Sequence, residues 1–299
     1  MTQAKGTAKA TTKKTPRLSL TSMAELGAEN TAPDWLVEGV MVARQPLVIG
    51  GPAKALKTSL ALGLAVSLGT GTPFLGRFKV PKACNVAVFS GESGRTTINE
   101  TLQRICRSKD EEPGDCGVSC GFTLPRLNKP GDRKELTQLL RADEIAAVVI
   151  DPIYLCLGRT VTASNLYEVG EVLVATANAC LRAGATPVLV HHTNKSAGAA
   201  TGAVALGDLA FAGIAEFARQ WVLVNRAVEY RPGGGTHELV LSVGGSAGHS
   251  SRWRVRVDEG RSDTKRRGWS VSVAADAARA SGGRESRKRS NAFRDIDEF

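Results

Sequence analysis

The chain has 299 residues, of which 42% are hydrophobic and 23% charged, enough apolar content to bury one substantial core. No stretch approaches the roughly 18 apolar residues of a membrane-spanning helix, and the lysine-rich start lacks the apolar block of a secretory signal, so we expect a cytoplasmic protein. The formal net charge of +10 would suit a nucleic-acid partner, although much of that charge lies near the two ends.

Both ends have the composition of unfolded basic arms. Residues 1–32 are rich in Ala, Thr, Lys and Gly without apolar periodicity, and residues 261–299 place lysine and arginine among small polar residues. We therefore expect one folded domain over residues 33–260 between two disordered arms.

The first informative stretch of this domain is a strand, a turn and a helix. Apolar residues predict a strand over residues 46–49 and a helix over residues 56–68. The turn between them is a near match to the phosphate-binding loop, whose backbone N–H groups and helix N-terminus bind an anion. The candidate binding residues are Gly51, Pro52, Ala53, Lys54, Ala55, Leu56, Lys57, Thr58 and Ser59.

Individual side chains of this loop have specific expected roles. Lys57 would contact the terminal phosphates, and Thr58 would bind Mg²⁺. The usual motif has glycine where this chain has Leu56, whose side chain could turn into the core and leave its N–H free for phosphate. Lys54 either adds a cation facing the nucleotide or is solvated.

The rest of the pattern alternates strands with helices. Strands are predicted over residues 85–90, 118–124, 146–150, 186–191 and 221–225, and helices over residues 96–107, 133–141 and 164–183. Apolar strands separated by helices are typical of a parallel sheet buried on both faces. Runs at 237–243 and 252–258, joined by a glycine-rich segment, predict an antiparallel hairpin at its edge. The expected fold class is α/β.

Two acidic residues follow predicted strands, at the sheet edge where parallel α/β folds bind ligands. Asp151 has the position of a carboxylate that orients Mg²⁺, or it caps the turn before Pro152. Glu92 follows the strand at 85–90, which we expect beside the strand of the phosphate loop. It would act there as general base on the attacking water, or else sit near the N-terminus of the next helix.

Two adjacent histidines close the strand predicted over residues 186–191. Successive side chains of a strand point to opposite faces, so at most one of His191 and His192 faces a nucleotide. We expect a neutral His192 to donate a hydrogen bond to the γ-phosphate; the alternative is a buried or surface histidine.

The order of these motifs resembles that of RecA-like P-loop ATPases of the AAA type, and within them the RepA and DnaB-type hexameric helicase branch. The match to RepA-like proteins is the segment His191-His192-Thr193-Asn194-Lys195. Residues 34–39, 208–214 and 221–226 also resemble segments of this branch, and the resemblance covers residues 33–258.

The resemblance implies a RecA-like fold that binds and hydrolyses ATP with Mg²⁺, with Lys57, Glu92 and His192 catalytic and Thr58 and Asp151 at the metal. It implies a homo-oligomeric ring or filament, a role in DNA replication or recombination, and single-stranded DNA as partner. Residues 195–207 correspond to the DNA-contacting channel loop of ring helicases, but lack an aromatic residue for base stacking. A nucleotide-dependent binding module with weak or no hydrolysis is the alternative.

One expected cation pair is missing. In DnaB-type proteins a Lys-x-Arg pair reaches the γ-phosphate of the neighbouring subunit, whereas the corresponding residues 241–246 carry no cation. Either Arg219, Arg226 or Arg252 serves as arginine finger, or activation between subunits is absent and hydrolysis slow. Such a finger is worth about 10³- to 10⁵-fold in rate.

Overall fold

The structure, a computed structural model, describes residues 20–29, 31–194, 201–229, 233–261 and 267–276. The chain divides into two units, Met1–Pro33 and Asp34–Phe299. The first contains a short helix, α1 (Met23–Ala28), inside the segment expected to be disordered. A capping box forms it: the Ser22 hydroxyl accepts from the Glu25 N–H, and the Glu25 carboxylate accepts from the Ser22 N–H. Composition alone could not reveal this local pairing.

The second unit is built on a nine-stranded sheet. In chain order its elements are β1 (Trp35–Val37), β2 (Met41–Val42), β3 (Leu47–Gly51), α2 (Lys57–Thr70), β4 (Asn85–Ser90), α3 (Arg95–Arg107), β5 (Val118–Gly121), α4 (Pro130–Ala142), β6 (Ile145–Asp151), α5 (Leu166–Arg182), β7 (Thr186–His192), α6 (Ile214–Phe217), β8 (Gln220–Arg226), β9 (Thr236–Gly245), β10 (Ser250–Asp258) and β11 (Ser270–Ala275). The strand order is β11-β10-β9-β8-β3-β7-β6-β4-β5, and β1 pairs with β2 in a separate small sheet.

The strand directions confirm the expected fold class. The six strands from β8 to β5 run parallel, and β9, β10 and β11 continue the sheet antiparallel beyond β8. Helices cover both faces: Leu47 and Ile49 of β3 pack in the apolar layer of α2 and α3, and Val48 packs in the layer of α4 and α5. The result is a mainly parallel sheet flanked by helices with a C-terminal antiparallel extension, the RecA-like arrangement that the resemblance implied.

The position of β4 corrects one prediction. We expected β4 beside β3, but β7 and β6 lie between them. The burial of the strands explains this order: β6 and β7 are buried along nearly their whole length, as central strands must be, whereas β5 is largely exposed and takes the edge.

The C-terminal arm also differs from expectation, because it contributes β11. All six residues of β11 pair with β10, from Trp253↔Ala275 to Asp258↔Ser270. Val271 and Val273 alternate with serines and pack against the apolar layer of α2 and α3. The predicted disorder of residues 1–19 and 277–299 lies outside the described residues, as do residues 195–200 of the candidate channel loop.

A buried charge network ties α3 to the antiparallel extension. Glu259, which follows β10, accepts a hydrogen bond from Arg267 at 2.7 Å, forms an ion pair with Arg104 at 2.6 Å and lies 3.0 Å from Nε2 of His237. Glu259 is only 6% exposed and Arg104 only 4%. Burial raises the pKa of Glu259, but the His237 hydrogen bond and the two arginine charges outweigh it and lower the pKa to about 2. The carboxylate therefore stays ionised at any physiological pH.

Among the described residues, no helix has both the length and the apolar character needed to cross a lipid bilayer.

Candidate functional site

A cleft of about 700 Å³ opens at the carboxyl ends of the parallel strands, beside the N-terminus of α2. Most of the candidate residues line it: Ala53, Lys54, Ala55, Leu56, Lys57, Thr58, Ser59, Glu92, Asp151, His192 and Arg226. Gly51 and Pro52 are buried just before this stretch. Gly51 must be glycine for a steric reason, because a Cβ there would lie 2.2 Å from the carbonyl oxygen of Val224 on β8.

The loop conformation explains why glycine is usual at the position of Leu56. Leu56 directly precedes α2 with φ 60° and ψ 22°, in the left-handed region that costs a residue with a Cβ roughly 1–2 kcal/mol. Its half-buried side chain packs against the apolar layer of α2 and α3. The expected inward turn of the leucine is therefore present, and packing offsets the backbone cost.

Leu56 can be tested by comparing two truncations. Leu56→Ala loses the packing and keeps the backbone cost, whereas Leu56→Gly loses the packing and relieves that cost. We expect Leu56→Gly to be more stable than Leu56→Ala by about 1 kcal/mol in urea unfolding, the reverse of the usual ranking of these residues. A more stable alanine variant would contradict the left-handed conformation.

Lys57 is a buried cation at the first turn of α2. It is 7% exposed, and its Nζ donates to the carbonyl of Pro52 at 2.7 Å. Burial lowers the pKa of Lys57 to about 8, against the opposing influence of the Asp151 and Glu92 charges. The amine is still mainly protonated at neutral pH, so it presents a positive charge at the base of the loop.

Thr58 and Asp151 form a pair of hard oxygen donors. Thr58 lies in the first turn of α2 and Asp151 ends β6, both line the cleft, and the Asp151 carboxylate is 6% exposed. Burial, aided by the Glu92 charge, raises the pKa of Asp151, while the Thr58 hydrogen bond and Lys57 lower it. No group of three or more His, Cys, Asp or Glu able to hold a metal occurs in the described part of the chain. One carboxylate and one hydroxyl nevertheless fit Mg²⁺, which takes few protein ligands and completes its shell with phosphates and water.

Glu92 is exposed on the loop after β4 and accepts a hydrogen bond from the Tyr154 hydroxyl at 2.5 Å. Thus Glu92 reaches the cleft even though β4 is not next to β3. Sequence reasoning missed Tyr154, whose ring centroid also lies 5.4 Å from that of His192. Its position just beyond Asp151, where the chain leaves the carboxyl end of β6, was the available signal.

The two histidines separate as expected for neighbours on a strand. His192 is half-buried and lines the cleft. Burial and the Lys57 charge lower its pKa, against the Glu92 charge, so the imidazole is neutral at pH 7. His191 is buried elsewhere, with Nε2 2.8 Å from the carbonyl oxygen of Ala210, and burial lowers its pKa to about 4.

Two of the three candidate arginine fingers, Arg226 and Arg219, lie at opposite ends of β8. Arg226 lies at the carboxyl end, and its Nη2 donates to the Lys54 carbonyl of the same chain at 2.8 Å. Arg219 is exposed just before β8, at the edge of the sheet away from the cleft. Arg252 is exposed near the start of β10, opposite Ser242. A finger role for any of them stays a prediction.

Comparison with known proteins agrees with this site. The family model AAA_25, described as an AAA domain, matches residues 12–198. A solved structure, that of a KaiC-like protein from the hyperthermophilic archaeon Pyrococcus horikoshii OT3, is similar over 80% of this chain and 94% of that chain, with 15% identity and a TM-score of 0.49. No curated protein matches the chain. The family match spans more than half of the sequence and contains the phosphate loop, Glu92, Asp151 and His192, so the chain belongs to the AAA domain family.

Proposed function

We propose that this protein binds ATP with Mg²⁺ in the cleft and hydrolyses the bond between the β- and γ-phosphates. The proposal rests on one observation: five side chains from separate segments line the same cleft. They are Lys57, Thr58, Glu92, Asp151 and His192. They supply a cation, two hard oxygens, a carboxylate and a neutral imidazole. This is the set that phosphoryl transfer to water requires.

The phosphate groups bind first to the loop. Its N–H groups and the N-terminus of α2 form an anion site, and Lys57 exchanges its bond to Pro52 for a phosphate oxygen. Thr58 and Asp151 would hold Mg²⁺, which would neutralise charge on the phosphates.

The remaining two side chains act on the reaction. Glu92 accepts a proton from the water that attacks the γ-phosphate. His192, neutral because burial and Lys57 lower its pKa, donates a hydrogen bond to a γ-phosphate oxygen. The half-burial of His192 gives this hydrogen bond a partly dehydrated setting, where it is stronger than in water.

We further propose that the protein belongs to the RepA and DnaB-type branch, forms a homo-oligomeric ring or filament, and acts on single-stranded DNA in replication or recombination. Support comes from the order of the motifs and from the segment between His191 and Lys195. We also propose that the protein is cytoplasmic.

A second candidate function is a nucleotide-dependent switch with little hydrolysis. Residues 241–246 carry no cation, and Arg226 contacts the loop of its own chain. Without an arginine from a neighbour, a factor of about 10³ to 10⁵ in rate is missing.

A steady-state ATPase assay with and without single-stranded DNA distinguishes these functions. We expect magnesium-dependent turnover that single-stranded DNA increases. Tight ATP binding without turnover, with or without DNA, would favour the switch and contradict hydrolysis. If single-stranded DNA leaves turnover unchanged, the proposed ATP hydrolysis stands and the DNA-dependent motor function is contradicted.

A further inference from the structure

We propose that Tyr154 is a positioning residue that holds Glu92 in place for proton abstraction, an inference that rests on the proposed ATP hydrolysis. The two residues are joined by the hydrogen bond from the Tyr154 hydroxyl to Oε1 of Glu92.

Glu92 needs such a partner because of where it lies. Its side chain is exposed, and its loop contains Gly91 and Gly94, which restrict the backbone little. A glutamate side chain that is free to rotate loses rotamer entropy when it is fixed. The bond to Oε1 fixes one carboxylate oxygen before the nucleotide arrives and leaves the other for the attacking water.

Tyr154 is itself held by its neighbours. It lies in a short 3₁₀ turn, Ile153–Cys156, whose two end residues are fully buried. This turn follows β6, which lies between β7 and β4 in the sheet. From that central position Tyr154 touches Glu92 after β4 and His192 on β7. One side chain thus connects the strand ends that carry the candidate base, sensor and magnesium carboxylate.

The phenol acts as a hydrogen-bond donor and transfers no proton itself. The bond to Glu92, together with partial burial and the nearby Glu92 and Asp151 charges, raises the pKa of Tyr154 to about 12. The hydroxyl therefore keeps its proton at neutral pH, and Glu92 remains the group that receives the proton from water.

The first test is Tyr154→Phe, which removes the hydroxyl and keeps the ring against His192. We expect kcat to fall about 10- to 100-fold, because a misplaced base loses that much, with KM and ATP affinity unchanged. Tyr167→Phe is the matched control: Tyr167 is 85% exposed on α5, outside the cleft, and its kcat should equal that of the wild type.

A double-mutant cycle separates positioning from general structural damage. In single-turnover reactions, Tyr154→Phe should slow the wild type and add nothing in a Glu92→Gln background. Equal slowing in both backgrounds would overturn the proposal. Independently of turnover, the ¹³Cζ-tyrosine NMR resonance of Tyr154 should shift in Glu92→Gln while that of Tyr167 does not, and an unmoved Tyr154 resonance would also overturn it.

The outcomes separate a failure of the Tyr154 positioning role from a failure of the proposed ATP hydrolysis. If the wild type hydrolyses ATP and Tyr154→Phe has normal kcat, the positioning role is overturned and the proposed function stands. If the wild type binds ATP without turnover, hydrolysis is contradicted and the positioning role falls with it.

Discussion

Replacing Lys57 by alanine is expected to weaken ATP binding severely and leave the fold intact. Lys57 is the buried cation of the loop, and α2 provides no second lysine at the same place. Truncating one partner of a buried charge pair costs about 2–5 kcal/mol. At 1.4 kcal/mol per tenfold, calorimetric titration with ATP and Mg²⁺ should show a loss of about 30-fold to several thousandfold.

Lys54→Ala is the control from the same loop. Lys54 is exposed and gives only its backbone carbonyl to Arg226, so we expect little change in affinity. A large loss in Lys54→Ala would instead indicate that this lysine faces the nucleotide. Unchanged affinity in Lys57→Ala would contradict a phosphate site in this loop.

Urea unfolding of Lys57→Ala and of the wild type at several pH values tests whether the variant keeps its fold. Burial lowers the pKa of Lys57 from 10.5 to about 8, so between these values the unfolded chain binds more protons than the folded one. The free energy of unfolding of the nucleotide-free wild type therefore rises between pH 8 and 10.5, because the unfolded chain holds the proton that the folded chain has lost. Below pH 8 the folded protein bears the full destabilisation of the buried charge. Urea unfolding of Lys57→Ala should lack this rise and show no loss of stability at pH 7.

Replacing Glu92 by glutamine is expected to separate binding from hydrolysis. The amide keeps the shape of the side chain and an oxygen that can accept from Tyr154, but it cannot take a proton from water. General-base catalysis contributes about 10²- to 10⁴-fold, so turnover should fall by that factor while ATP affinity is retained.

The control for this variant is Glu135→Gln, which changes an exposed carboxylate on α4 that does not line the cleft. Its turnover should match that of the wild type. Full turnover in Glu92→Gln would show that another group lining the cleft, such as Asp151, accepts the proton.

Local pattern was enough to predict most of the elements. The apolar run of β6 and the alternation in β10 are properties of short segments, and the strands formed close to the expected positions. The cleft residues at the phosphate loop and at the ends of the parallel strands were also predictable, because parallel strands bring their carboxyl ends to one edge, whereas His237, Glu259 and Arg267 were not predicted.

What the sequence did not reveal depends on contacts between distant segments. The place of β4 in the sheet depends on how deeply β6 and β7 are buried, and β11 is recognised only through its pairing with β10. The contact of Tyr154 with Glu92 joins residues 62 positions apart. No periodicity within either segment carries information about such a contact.

The network around Glu259 links the two sides of the cleft. Glu259, His237 and Arg267 also line the cleft, while Arg104, which forms an ion pair with Glu259, belongs to the helix that begins just after Glu92. The start of α3, and with it the end of the loop that carries the candidate base, is therefore tied by a buried ion pair to a wall of the same cleft within a single subunit.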